Sequence, residues 1–120
     1  MTEVNLTHQA VQPSPKVLSL RIAGEVDEGN GRKVEEYFNN TVKAEEPCHV
    51  LLDLSGLTFA GSAFFSSLVF WQEEMVKCGG TLVLFGLRPE VASTMRILTL
   101  DRRLIICPDQ ATALARTAKA

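Results

Sequence analysis

Several patterns are missing from this 120-residue chain, and each absence removes a class of function. No apolar run approaches the roughly 18 residues needed to cross a bilayer, so no direct membrane insertion is expected. The first ten residues alternate and are polar, unlike the charged-then-apolar pattern of a secretory leader, which leaves the cytoplasm as the expected location. Basic residues are scattered, and Lys plus Arg number 12 against 14 acids. Nucleic acid and acidic lipid need a concentrated positive surface, so neither is an expected partner. The three cysteines, Cys48, Cys78 and Cys107, are odd in number and far apart, and the only histidines are His8 and His49. No Cys-x-x-Cys or Cys/His ligand spacing exists, so neither a metal nor a disulfide is expected. Each cysteine stands beside an expected strand, where a free thiol packs as a small hydrophobe.

Nucleotide and nucleophile motifs are missing too. Gly24, Gly29 and Gly31 lack the G-x-G-x-x-G spacing, and no Gly-Lys-Ser follows them. Gly79-Gly80 ends a helix rather than opening one, so it offers no amide nest to a phosphate. Gly61-Ser62 is followed by Ala63-Phe64, which is not the G-x-S-x-G elbow. No cofactor is expected, and the chain is not expected to be an enzyme.

What is present is ordinary globular material: 46% hydrophobic and 22% charged residues in a length suited to one domain covering residues 1–120. Val4, Leu6, His8 and Ala10 alternate with polar residues, as do Leu18, Leu20 and Ile22. Two strands are therefore expected, paired as a hairpin around the prolines of Gln12–Lys16. Asp27 is an expected N-cap for a helix with Val34, Phe38 and Val42 on one stripe. The unbroken Val50-Leu51-Leu52 suits a central strand covered on both faces. Residues 53–61 then lead to a second helix from Ser62 to about Lys77, stopped by Gly79-Gly80. Thr81 to Phe85 is another buried strand. Pro89 and Glu90 open a third helix with Val91, Met95 and Leu98 inward. Leu104 to Cys107 is the last strand, and Pro108-Asp109 starts a terminal helix packed through Ala111, Leu114, Ala115 and Ala118. The expected fold is α/β: a single-layer mixed sheet of about five strands with four helices, in the order β-β-α-β-α-β-α-β-α.

Asp27 and Asp53 both fall at C-terminal ends of strands, the edge where open α/β sheets gather ligands. Their bland role is capping and loop hydrogen bonding. The second helix has two apolar rows: Phe65, Val69 and Val76 in one, Phe64, Leu68, Trp71 and Met75 in the other. A helix covering one side of a sheet needs one stripe. The second row is either a broad core or an exposed patch of the kind that marks a partner surface.

Four segments taken in order carry a resemblance: Gly24-Glu25-Val26-Asp27, Leu51-Leu52-Asp53-Leu54-Ser55, Leu57-Thr58-Phe59-Ala60-Gly61-Ser62, and Gly79-Gly80-Thr81-Leu82-Val83-Leu84. Together they resemble the STAS domain, which occurs in bacterial anti-sigma-factor antagonists and in the cytoplasmic parts of sulfate transporters. The resemblance implies a protein-interaction module of bacterial signalling and transcription regulation, whose partner is a serine-kinase-type anti-sigma factor. In such antagonists the loop before the second helix reads Asp-Ser-Ser-Gly, and the second serine is phosphorylated by that partner. Here Gly61 stands at the aspartate, Ser62 at the first serine, Ala63 at the acceptor and Phe64 at the glycine. Alanine has no hydroxyl, so the usual switch cannot operate at position 63. Ser62 is the substitute acceptor the resemblance leaves, and its ordinary role is the helix N-cap.

The resulting expectation is a partner surface made from Glu25, Asp27, Ser55, Thr58, Gly61, Ser62, Phe64 and Trp71, with a homodimer also compatible with the pattern. Two alternatives stand beside it: a structural STAS subunit of a larger signalling or transporter assembly, and a small-ligand-binding domain at the strand C-terminal edge using Asp27, Asp53 and Ser62.

Overall fold

The computed structural model describes residues 3–118. Strand β1 (Val4–Pro13) pairs antiparallel with β2 (Lys16–Val26), placing Leu6 opposite Ile22 and His8 opposite Leu20, with a bulge at Val11. Alternation along β2 sends Leu18, Leu20 and Ile22 into the larger core, while Val17, Ser19 and Arg21 take the opposite face. The first part of β2 then pairs parallel with β3 (His49–Asp53), from Val17 opposite His49 to Arg21 opposite Asp53. Beyond Asp53 the far end of β2 is taken over by a short parallel strand, β4 (Leu57–Ala60). Strands β5 (Thr81–Phe85) and β6 (Ile105–Cys107) extend the parallel part, giving the order β1-β2-β3-β5-β6 with β4 alongside β2.

Among the described residues the sheet therefore has six strands rather than about five. Segment 53–61, expected to be a connection only, contains β4, because the eleven residues of β2 outrun β3 and leave an edge for a second partner. The order becomes β-β-α-β-β-α-β-α-β-α.

Helices α1 (Gly31–Tyr37), α2 (Ser62–Lys77) and α3 (Pro89–Ile97) cover one face and α4 (Gln110–Ala118) the other. After α1 the chain makes a π-helical turn, Phe38–Val42, and a 3-10 turn, Lys43–Glu45. Val34, Phe38 and Val42 are all buried, as their spacing of four requires. Phe38 stacks on Trp71 at a centroid distance of 4.3 Å and 11° between ring planes, and Phe64 meets Trp71 edge-on at 6.2 Å. The Phe64, Leu68, Trp71, Met75 row is thus core. In the other row Phe65 is buried, Val69 is half-buried and Val76 is exposed.

Other local expectations are corrected. Leu98 is exposed: α3 ends at Ile97, and the left-handed backbone at Thr99 turns the chain away. In α4 the inward row is Ala113, Leu114 and Thr117, while Ala111, Ala115 and Ala118 face outward. Cys107 is buried as expected, but Cys48 is half-buried and Cys78, in the turn after α2, is exposed. Asp109 does cap α4, its Oδ1 accepting from the Thr112 amide at 2.8 Å, and that bond holds its carboxyl below the usual range.

His8 is half-buried and His49 is buried. His8 Nδ1 lies 2.6 Å from the Tyr37 hydroxyl and its Nε2 2.5 Å from Glu45, tying β1 to the end of the first helical segment. His49 is 5% exposed, with Nδ1 buried and without a partner among the described residues, and this burial lowers its pKa.

Candidate functional site

The corner to which β2 and β4 deliver the chain is an open cleft of about 550 Å3. Its walls are the 27–31 loop with the start of α1 on one side and the N-terminus of α2 on the other. Asp27 organises the first wall. Its Oδ1 accepts from the amides of Gly29 at 2.9 Å and Asn30 at 3.2 Å, while Asn30 Oδ1 accepts from the Asp27 amide at 2.9 Å. The expected N-cap role is therefore replaced by a turn closed by its side chain. The residue before the helix is Asn30, which makes no side-chain cap bond.

Position 61 governs the second wall. Gly61 occupies the cap position of α2 in extended conformation, and its amide donates to Val26 O at 2.9 Å. Ser62, whose ordinary role would be the cap, is one residue further on as the first helical residue. Its side chain is exposed and makes no hydrogen bond among the described residues. Ala63 is also exposed and lines the cleft. Deeper in, the Ser67 hydroxyl donates to Glu35 Oε1 at 2.5 Å, and its oxygen also lies 3.2 Å from Ala63 O. One hydroxyl proton prefers the charged acceptor, so this bond ties α1 to α2 across the cleft floor.

Of the eight expected partner residues, the cleft gathers Asp27, Gly61, Ser62 and Phe64. Phe64 forms part of the floor but is 4% exposed, and Trp71 is 1% exposed. Neither ring offers a partner-facing surface; this corrects the expectation, because both are consumed by packing with Phe38 and Phe65. Ser55 is held away from the cleft. Its hydroxyl donates to Asp53 Oδ1 at 2.7 Å, Arg21 Nη1 reaches its oxygen at 3.4 Å, and Arg88 Nε donates to its carbonyl at 3.2 Å. Thr58 donates to Gly24 O at 3.0 Å, and the Glu25 carbonyl accepts from Asn30 Nδ2 at 2.8 Å. Asp27 and Asp53 are not brought together. Asp53 lies with Arg21 at 3.6 Å in a separate hollow beside Thr7, Gln9 and Gln110, on the α4 side of the sheet.

Residues absent from the expected surface complete the cleft: Glu28, Arg32, Glu35, Phe59, Ala63 and Ser67. Phe59 is 49% exposed although Leu57, two positions earlier, is buried. The pairing with β2 jumps from Leu57 opposite Gly24 to Phe59 opposite Glu25, so Thr58 is an extra residue. Such a bulge re-aims the side chains after it, and strand alternation alone would have put Phe59 inside. Among the described residues the charged lining is Asp27, Glu28 and Glu35 with Arg32.

The family model for the STAS domain matches residues 8–113, from β1 into α4. The chain belongs to the STAS-domain family. Solved structures agree on the fold. An anti-sigma factor antagonist from Mycobacterium paratuberculosis is similar at a TM-score of 0.80 and 22% identity, over 95% of each chain. The Bacillus cell-fate determinant SpoIIAA, in its unphosphorylated form, is similar at a TM-score of 0.77 and 14% identity, over 97% of this chain and 98% of that one. The murine anion transporter Solute Carrier 26 family member A9 is also similar, at a TM-score of 0.70 and 12% identity. This STAS domain corresponds to 23% of the transporter's length and is covered over its whole own length. Among the described residues no helix is long and apolar enough to cross a membrane.

Proposed function

We propose that this STAS domain, one unit over the 120 residues, is a non-enzymatic protein-interaction module of the anti-sigma-factor-antagonist kind, working in the bacterial cytoplasm in transcription regulation. Its partner is a serine-kinase-type anti-sigma factor or a related signalling protein. The docking surface is the cleft corner formed by the Asp27 loop, Phe59, Gly61, Ser62 and the exposed start of α2. The observation that carries this reading is that Ala63 stands exposed and lines the cleft; the family resemblance puts it where antagonists carry their acceptor, and it has no hydroxyl to receive a phosphate. Binding is then constitutive or controlled on the partner. Glu25 and Thr58 support the corner through their bonds to Asn30 and Gly24 rather than touching the partner, and Ser55, held away from the cleft on Asp53, lies outside this surface.

The test is incubation with the kinase-type partner and ATP, followed by intact-mass measurement and capture. Unchanged mass and ATP-independent capture are expected. A stoichiometric phosphate that disappears in Ser62→Ala would overturn constitutive binding. A second reading, a structural STAS subunit of a transporter or signalling assembly, is favoured by the similarity to the murine transporter and by exposed Phe70 and Val76 on α2. It requires capture of the partner to survive loss of the cleft residues and to fail in Phe70→Asp.

A further inference from the structure

The cleft does not stop at the corner. A second stretch of about 500 Å3 continues it between α1 and α2, sharing Glu35, Ala63 and Ser67 with the first and ending at Phe70 and Asn39. The result is one groove walled by two helices. Its floor is Phe64, Ser67 and Trp71, and an exposed aromatic stands near each end: Phe59 by the corner and Phe70, 53% exposed, at the far end. From Ser62 to Phe70 the α2 wall is about 12 Å long at 1.5 Å per residue, enough for about two turns of a helix lying alongside it.

We propose that this groove seats an amphipathic helix of the partner protein, with apolar anchors directed at Phe59 and Phe70 and basic residues on its flank. This rests on the protein-docking reading above and deepens it by naming the chemistry of the occupant. Shape supports a helix: Ala63, Ser66 and Ser67 keep the α2 wall low at spacings of three and four, and helices recognised in grooves present anchors at those same intervals. Charge supports a basic one. Among the described residues Glu28 and Glu35 line the groove with Arg32, and neither Glu28 nor Arg32 makes an ion pair there, while the Asp27 carboxylate is already engaged. An acidic helix would meet repulsion from Glu28 and Glu35 there, whereas a basic one adds complementary contacts that also speed encounter.

The sole tryptophan of the chain, Trp71, lies in the groove floor and supplies an intrinsic reporter. The probe is an 18-residue helical peptide with leucines at i, i+3, i+4 and i+7 and arginines on the flanks, compared with the same peptide carrying glutamates. Binding is read by peptide anisotropy and by Trp71 emission. The basic peptide should bind at least tenfold more tightly than the acidic one, with the advantage shrinking at high salt. Glu28→Lys should remove most of the preference, and Phe70→Asp should abolish binding. Glu28 is exposed and makes no hydrogen bond among the described residues, so this variant tests charge without touching the Ser67–Glu35 bond; circular dichroism checks its fold. Equal affinity for both peptides, or no binding of either, overturns the proposal.

The partner-docking reading has its own arm, a photo-crosslinking residue placed at position 63 in cells. Adducts at position 63 that the basic peptide does not displace would leave the docking reading standing and the helix proposal refuted. No adduct at all would refute both.

Discussion

The glycine pair after α2 offers a sharp test of the packing argument, because its two members do different things. Gly79 is left-handed, with φ at +83°, and the space where its Cβ would go is open. Gly80 donates its amide to Met75 O at 2.9 Å, closing the end of α2. A Cβ on Gly80 would lie 1.7 Å from the carbonyl oxygen of Cys48, at the entry to β3.

Replacing Gly79 by alanine costs about 1–2 kcal/mol for a left-handed L-residue, of which about 0.4–1 kcal/mol is offset because the unfolded chain also loses freedom. The net loss is about 1 kcal/mol, or a Tm lower by about 3–5 °C for a domain of this size. Replacing Gly80 by alanine requires the 1.7 Å contact to open beyond 3.0 Å against backbone, not against a side chain that could swing aside. The start of β5 must leave β3, where Thr81 faces His49. A loss above about 4 kcal/mol is expected, in the range reached only by a few named mechanisms, with Tm lower by more than about 12 °C. Urea unfolding and thermal circular dichroism on both variants read the difference. Equal losses, or a milder effect at Gly80, would refute the close approach of β3 and β5 at this point.

Three further outcomes are expected. Phe38→Ala should cost about 3–5 kcal/mol by removing the ring stacked on Trp71, and should shift Trp71 emission to the red as water enters; urea unfolding followed by fluorescence measures both. His49, whose pKa is lowered by burial, makes stability depend on pH. The unfolded state binds its proton first, so the contribution is complete above the ordinary histidine pKa of about 6.5 and is lost as pH falls from there through the folded-state value. His49→Val should therefore narrow the stability loss between neutral pH and pH 5, and identical slopes for the two proteins would refute the assignment. Ala63→Ser changes an exposed position and should alter stability by no more than about 0.5 kcal/mol. With the kinase-type partner and ATP it should gain one phosphate and then lose capture.

Most of the architecture is legible along the chain because it is written in local periodicity. The alternation of Leu18, Leu20 and Ile22, the unbroken run Val50-Leu51-Leu52 and the spacing of Val34, Phe38 and Val42 each bury the side chains they single out. Those rules act between neighbours in sequence, so no partner strand or helix is needed to read them. The four short segments that resemble the STAS domain lie within the stretch matched by the family model, because each is a local run of sequence that needs no distant partner to be read. Tertiary structure decided what depends on distant chain segments. Whether Phe64 and Trp71 faced a partner or a core was open from helix periodicity. It was settled by Phe38 stacking beneath Trp71 and by the sheet under α2. Segment 57–60 became a strand because β2 outran β3, and the bulge at Thr58 turned Phe59 outward against its parity. Asp53 and Asp27 share a sequence context but were sent to different sides of the sheet. The groove beside α2, with its acidic lining and exposed aromatics, exists only because α1 is brought against α2 by the Ser67–Glu35 bond, a contact between residues far apart in sequence.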